Sequence, residues 1–303
     1  MSEIAISVNN LSKKYGDITA INNLGFEIQK GELFGFIGPD GAGKTTLFRI
    51  LTTLLLPDSG KALVAGFDTV KEYKKIRNII GYMPGKFSLY QDLSVEENLS
   101  FFATIFGTTI EENYDLIKDI YVQIEPFKKR TAGKLSGGMK QKLALCCALI
   151  HKPEVLLLDE PTTGVDAVSR KEFWDMLKRL KESGITIIVS TSYMDEASLC
   201  DRVSLMQNGN ILSTDTPDNI IKGFNKKLFA VKAAEMYLLM QDLRDWNNTE
   251  TIYLFGQTVH LTLHEGNQKE IELYLGSKLH QSIEIKQIEP NIEDSFMRLM
   301  SKN

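Results

Sequence analysis

A short apolar run, Leu33-Phe34-Gly35-Phe36-Ile37, passes straight into Gly38-Pro39-Asp40-Gly41-Ala42-Gly43-Lys44-Thr45 and from there into Thr46-Leu47-Phe48-Arg49-Ile50-Leu51. No other stretch of the 303 residues constrains the fold so tightly. The run reads as a buried strand, the octet as a phosphate-binding loop and the last six residues as the opening of a helix. Such a loop belongs at the carboxyl edge of a mostly parallel α/β sheet, where strand and helix fix its two ends. Its glycines let successive backbone N–H groups converge on phosphate oxygens, and the helix start adds partial positive charge. The candidate cradle is Gly38, Pro39, Asp40, Gly41, Ala42, Gly43, Lys44, Thr45 and Thr46. Lys44 would reach the outer phosphates, and the Thr45 hydroxyl would sit on Mg²⁺, a hard cation that takes oxygen ligands.

Further β-type runs at 5–8, 61–64, 155–158, 186–190 and 202–206, with helical patterns between several of them, fit that sheet. Residues 94–151 read instead as helices, and Ser94-Val95-Glu96-Glu97 offers a capping box ahead of Leu99, Phe101 and Phe102. A Gly/Asn/Lys break at 223–227 precedes strands at 258–263 and 282–288, a helix at 268–279 and a last helix. The expected organisation is an α/β domain over 1–223, with a helical subdomain at about 94–151, and a small α+β domain over 228–303. With 43% hydrophobic and 24% charged residues, the chain has apolar material for both cores and no signature of disorder.

Val155-Leu156-Leu157-Leu158-Asp159-Glu160 is a buried-type strand ending in two carboxylates at the sheet edge where ligands sit. Asp159 is placed to hold Mg²⁺ through water, and Glu160 to polarise a water attacking a terminal phosphate. Taken alone, the pair could equally be a strand running into a solvated turn. Just ahead lies Leu135-Ser136-Gly137-Gly138-Met139-Lys140-Gln141. There Ser136, Gly137 and Gly138 open a helix and offer N–H donors and a positive dipole end to an anion, with Ser136 also a helix cap. Phosphate loop, heptad and Asp-Glu strand, in this order, resemble the P-loop ATPases of the ATP-binding cassette (ABC) family over about residues 4–222. The resemblance implies an α/β cassette with a helical signature subdomain, and ATP with Mg²⁺ as ligands. It also implies hydrolysis with Glu160 and Lys44 as catalytic groups, and a dimer whose Ser136 loop grips the γ-phosphate bound by the other subunit.

The resemblance extends to single positions. Tyr15, in Lys13-Lys14-Tyr15-Gly16, matches the aromatic that stacks on adenine. Gly164-Val165-Asp166 resembles the loop that crosses the dimer interface, which puts Asp166 among the nucleotide-site residues; otherwise it is an acidic turn before a helix. Two positions depart from the pattern. Gly85, after Ile80-Gly81-Tyr82-Met83-Pro84, stands where the family has a glutamine that touches Mg²⁺ and the attacking water, and Ser192 stands where it has a switch histidine. Gln91 could substitute only by a loop rearrangement. Phosphoryl transfer depends on alignment and electrostatics, so two missing positioning groups imply a site that binds ATP and turns it over slowly. The expected partner is then a second, different cassette subunit, with a homodimer as the other option; retention of Glu160 argues against complete inactivity. The pattern of departures resembles the first cassette of bacterial multidrug-type exporters with two unequal cassettes.

The same resemblance supplies membrane-spanning permease subunits as partners, which lend a short helix to an apolar groove. Phe87 and Tyr90 are the expected contacts there, with Leu99, Phe101 and Phe102 assigned to the core. The closing Glu289-Pro290-Asn291-Ile292-Glu293-Asp294-Ser295-Phe296-Met297 resembles the end of accessory domains on export-type subunits, and Ile292, Phe296 and Leu299 form one apolar helix face. Dimer stabilisation or regulation is the expected role of that domain.

No stretch approaches the roughly 18 apolar residues of a membrane span, and Met1-Ser2-Glu3-Ile4 shows no basic leader pattern. Cys146, Cys147 and Cys200 have no metal-ligand spacing. The expected location is therefore cytoplasmic, peripheral on the inner face of the cell membrane through partners. A net charge of -4 gives no electrostatic footprint for nucleic acid. The alternative, a soluble ABC ATPase acting on the ribosome or on nucleic acid, is disfavoured by that charge, by the short interval between loop and signature, and by the single cassette. A GTPase would need an Asn-Lys-x-Asp sequence, which the chain lacks.

Overall fold

The computed structural model describes residues 3–278 and 280–301. The readings made at Met1, Ser2 and Leu279 lie outside the described residues. The chain forms two compact units, Met1–Thr216 and Pro217–Asn303.

The first unit opens with β1 (Ile4–Tyr15) and β2 (Ile18–Gln29), an antiparallel pair. In β2 the alternation of Leu24, Phe26 and Ile28 buries one face, as the two-residue repeat of a strand requires. Then follow β3 (Leu33–Ile37), α1 (Lys44–Leu51), β4 (Ser59–Val64), β5 (Phe67–Asp68), α2 (Tyr73–Ile79) and β6 (Ile80–Met83). Three helices come next: α3 (Val95–Ile105), α4 (Tyr114–Tyr121) and α5 (Gly137–Leu149). The unit closes with β7 (Val155–Asp159), α6 (Ala167–Glu182), β8 (Thr186–Thr191), β9 (Arg202–Gln207) and β10 (Asn210–Asp215).

Strands β2-β1-β4-β5 make one sheet, and β10-β9-β3-β8-β7-β6 make a second. In the second, all pairs from β9 to β6 are parallel, and only β10 is antiparallel. Every residue of β3, β7 and β8 is buried, as expected of central parallel strands covered on both faces. Phe34, Phe36, Phe48, Leu157 and Ile188 join Ile6, Ile21 and Ile28 in one core, so the antiparallel sheet packs on the parallel one. The helical segment starts with the expected capping box: Ser94 Oγ accepts from Glu97 N at 3.2 Å, and Glu97 Oε2 accepts from Ser94 N at 2.7 Å.

The second unit begins with α7 (Pro217–Lys222), earlier than the break at 223–227 led us to expect. Helix α7 packs against the last helix of that unit, so the chain divides before it. The elements are β11 (Leu228–Lys232), α8 (Met236–Asp245), β12 (Thr249–Phe255), β13 (Thr258–Leu263), α9 (Gln268–Ser277), β14 (Glu284–Ile288) and α10 (Ile292–Ser301). The run βαββαβ, with sheet order β12-β13-β11-β14 and antiparallel pairing, is the split βαβ arrangement. Its core is its own: Phe229, Val231, Leu239, Leu243, Val259, Leu261, Ile271 and Leu275. Ile292 and Phe296 bury one face of α10, and Asp294 meets His260 Nδ1 at 2.7 Å.

Candidate functional site

The loop after β3 reaches α1 through Gly43, whose φ of 102° lies in the left-handed region. A Cβ at Gly43 would run into the carbonyl oxygen of Ala20, and one at Gly38 into that of Met206. Glycine is therefore required where the loop passes β2 and β9. No acidic side chain lies in the first turn of α1, so its N–H groups present an uncancelled positive end. Lys44 is buried and folds back: its Nζ donates to Gly38 O at 2.6 Å and Pro39 O at 3.1 Å, and lies 3.1 Å from Glu160 Oε1.

Both carboxylates stand at the end of β7. Asp159 Oδ1 accepts from Ser190 Oγ at 2.5 Å and from Thr45 Oγ1 at 3.2 Å. Burial pushes the Asp159 pKa up, the two hydroxyls oppose that shift, and the Glu160 charge adds to it. Tyr82, on β6, is pushed up to about 12, first by burial and then by the Asp159 charge. Glu160 has left-handed backbone, φ 50°, which its N–H bonds to Ser190 O (3.0 Å) and Ser190 Oγ (3.1 Å) hold in place. Its Oε2 accepts from Thr163 Oγ1 at 3.1 Å, Ser192 N at 3.3 Å and Ser192 Oγ at 3.5 Å. Thr45 and Asp159 form an all-oxygen set that suits Mg²⁺. Among the described residues no cluster of three or more His, Cys, Asp or Glu could hold an ion, so waters and phosphate oxygens would complete the shell.

The two departures lie on this cluster. A Cβ at Gly85 would stand 3.1 Å from Asp159 O and 3.5 Å from Glu160 Cβ, and Ser192 already touches Glu160. Gln91 lies elsewhere: its carbonyl accepts from Gly133 N at 2.8 Å, and its side chain lies beside Gly133. It is held by the helical segment, which removes the loop rearrangement as a simple substitute for position 85.

A second cluster gathers the glycines of α5 and the turn before α6. Ser136 caps α5, accepting from Met139 N at 3.3 Å, and it is exposed, as is Gly137. A Cβ on Gly137 would lie 3.3 Å from Gly164 O, and one on Gly138 3.0 Å from Ser169 Oγ, so this loop sits directly on the 164–169 turn. Asp166 is exposed and caps α6, accepting from Val168 N at 3.1 Å and Ser169 N at 3.0 Å; the bond from Ser169 leads in holding its carboxyl below the usual range. Tyr15, also exposed, pairs with Ile18 at the β1–β2 turn. Two residues beyond Ile18, Ala20 abuts Gly43, which ties that turn to the phosphate loop.

Residues 21–163 match the ABC transporter family model. The Nod factor export ATP-binding protein I of Rhizobium sp. (strain N33) is 32% identical over 306 residues, covering 100% of this chain and 99% of that protein. The chain belongs to the ABC transporter ATP-binding family. The probable multidrug ABC transporter ATP-binding protein YbhF of Escherichia coli (strain K12) is 41% identical over 220 residues, 72% of this chain but only 38% of that protein, so the matched part spans well under half of that relative. The ATP-binding subunit of an ABC transporter aligns with TM-score 0.66 at 26% identity, covering 73% of this chain and 93% of that one. A dimeric ATP-binding cassette in a post-hydrolysis state bound to ADP and Pi aligns with TM-score 0.63 at 27% identity, covering 70% and 98%.

The cassette also carries an apolar cavity of about 460 Å³ between α5 and β6, lined among others by Leu54, Arg77, Leu89, Phe102, Phe106 and His151. Phe102 was expected in the core and instead lines this cavity, because only Leu99 of the trio points fully inward. Phe101 is exposed and meets Tyr90 edge-on at 4.8 Å. Phe87 lies under the Lys140 ammonium, 5.5 Å from ring to Nζ. Sequence reasoning missed Ser190 and His151; Ser190 follows an unbroken β-branched run, and nothing local marks it as the residue facing Asp159.

Proposed function

We propose that this cassette is the ATP-binding subunit of an exporter, working from the cytoplasmic face of a membrane on separate permease subunits and paired with a second cassette. The observation that carries the reading is the convergence of Lys44, Thr45, Asp159 and Glu160 at one sheet edge. Lys44 exchanges its two carbonyl partners for phosphate oxygens. Thr45 and Asp159 would hold Mg²⁺, which would supply charge neutralisation at the phosphates. Glu160 aligns the attacking water, Tyr15 stacks on the adenine, and the exposed Ser136 and Gly137, with the half-buried Gly138, reach the γ-phosphate held by the partner, with Asp166 alongside. The relatives named for Nod factor export and for multidrug transport differ in cargo.

Gly85 and Ser192 add no long side chain beside Glu160 to join Lys44 at the phosphate, and pairing with a different, fully equipped cassette follows from that. The test is ATP binding and steady-state hydrolysis by the full chain, alone and with a candidate partner cassette. Binding that is lost in Lys44→Ala, slow turnover alone, and partner-stimulated turnover abolished by Ser136→Arg are expected. Ordinary turnover by the lone chain would refute the unequal pairing; ATP binding that survives Lys44→Ala would refute the phosphate site.

A further inference from the structure

We propose that Glu196 is a positioning residue for Glu160, a buried carboxylate that ties the turn at 162–166 to the loop carrying Ser192. The inference rests on the role given to Glu160 above and deepens it. Glu196 sits in the short turn Met194–Leu199, which begins two residues after Ser192, and is 1% exposed. Its Oε1 accepts from Thr162 Oγ1 at 2.8 Å, and Thr162 is as deeply buried. Arg170, in the first turn of α6, closes over the same loop. Its Nε lies 3.9 Å from Glu196 Oε1, one terminal nitrogen donates to Asp195 Oδ2 at 3.3 Å, and the guanidinium lies 4.7 Å from the Tyr193 ring centre.

These contacts complete a ring around Glu160. Thr163 Oγ1 and Ser192 N both donate to Glu160 Oε2, while Thr162, next to Thr163, is bonded to Glu196, four residues past Ser192. Displacing the 162–166 turn therefore pulls on Glu160 by two routes, through Thr163 directly and through Glu196 and Ser192. The turn is also where Gly164 meets Gly137 of the loop offered to a partner, so it is the element that docking would press.

Stability alone does not account for an acid here. Glu196 Oε2 is buried with no hydrogen-bond partner, and its nearest cation stands at 3.9 Å, a poor return for removing a charge from water. An apolar or amide side chain of similar volume would pack at lower cost. A polar link between the 162–166 turn and the loop carrying Ser192 is what the carboxylate supplies.

The experiment uses the full chain, measuring affinity for a fluorescent ATP analogue, the single-turnover rate of γ-phosphate release at saturating ATP, and the melting temperature. Thr162→Val removes the hydroxyl at nearly constant shape and is expected to slow release at least tenfold with affinity within twofold, whereas Thr162→Ser restores the rate to within threefold. An unchanged rate in Thr162→Val, or a loss that vanishes on cooling in step with a lowered melting temperature, overturns the proposal. Should Thr162→Val not fold, Arg170→Met carries the test: at least threefold slower release supports the link, and an unchanged rate refutes it. Wild-type ATP binding is measured first; its absence would refute the reading of the site itself, whereas a rate indifferent to Thr162→Val with binding intact refutes only the role of Glu196.

Discussion

Ser190→Ala probes the geometry of the site more directly than any change to a catalytic group. Ser190 is completely buried, donates to Asp159 Oδ1 at 2.5 Å and accepts from Glu160 N at 3.1 Å. Alanine fills nearly the same space, so what is lost is the charge-assisted bond, since Glu160 N keeps the Ser190 carbonyl at 3.0 Å. Hydrogen bonds to buried charged groups contribute about 1.5–3 kcal/mol. For a unit the size of Met1–Thr216, about 2–4 °C per kcal/mol turns this into a fall of roughly 3–12 °C in the melting of that unit. The pH dependence follows from Asp159. Its pKa already stands above the ordinary 3.8, so its ionisation opposes folding as pH rises through the folded value. The Ser190 bond lowers that pKa; removing it raises the pKa further and enlarges the opposition. The gap between wild type and variant should thus be full where Asp159 is ionised in both and shrink on acidification, as Asp159 becomes neutral in both. Calorimetry at pH 7.5 and at successively lower pH reads both effects. A melting shift below 1 °C at pH 7.5, or a gap that widens on acidification, would refute the reasoning.

His151 stacks on Phe106 at 3.8 Å with Nε2 on Ile80 O at 2.9 Å, while Nδ1 is buried without a partner, and burial holds its pKa below 6.5. A depressed histidine favours the folded state above its unfolded pKa and loses that stability as pH falls through the folded value, so melting of the first unit should decline below about pH 6.5, and His151→Gln should flatten the decline. Because each unit owns its core, a chain ending at Thr216 is expected to fold and to bind ATP within twofold of the full chain; unfolding of that fragment, seen by circular dichroism, would count against the division.

The phosphate loop, the Asp159-Glu160 strand end and the Ser136 cap were legible because each is a contiguous stretch whose backbone demand is met by specific residues: glycine at Gly43 for positive φ, serine for a cap. Strand β2 was not, although Leu24, Phe26 and Ile28 alternate, because Asn22 and Asn23 interrupt the pattern and Asn23 takes a φ of 51° at a register shift. β10 and β12 mix polar with apolar residues, as edge strands of their sheets, and gave no strong run. The Gly/Asn/Lys break follows α7, while the two units divide ahead of it, because α7 makes its contacts with α10, far along the chain.

The same distinction between local and distant information bears on the two departures. Glu160 was legible at the end of its strand; its holders, Ser190 in the next strand and Ser192 just past its end, lie some thirty residues away and could be found only in three dimensions. Their geometry refines what the missing histidine means. Ser192 still anchors Glu160 through its backbone N–H, a bond that any residue but proline can make there, so serine in place of histidine forfeits side-chain reach and not the anchoring of Glu160. Gly85 likewise removes a side chain that would start 3.5 Å from the Glu160 Cβ without loosening any bond that Glu160 makes. Both changes leave the bonds that hold Glu160 intact. Restoring only the reaching groups, in Gly85→Gln with Ser192→His, should therefore raise turnover of the lone chain without altering ATP affinity, once Asp159 yields the few tenths of an ångström that a Cβ at position 85 needs.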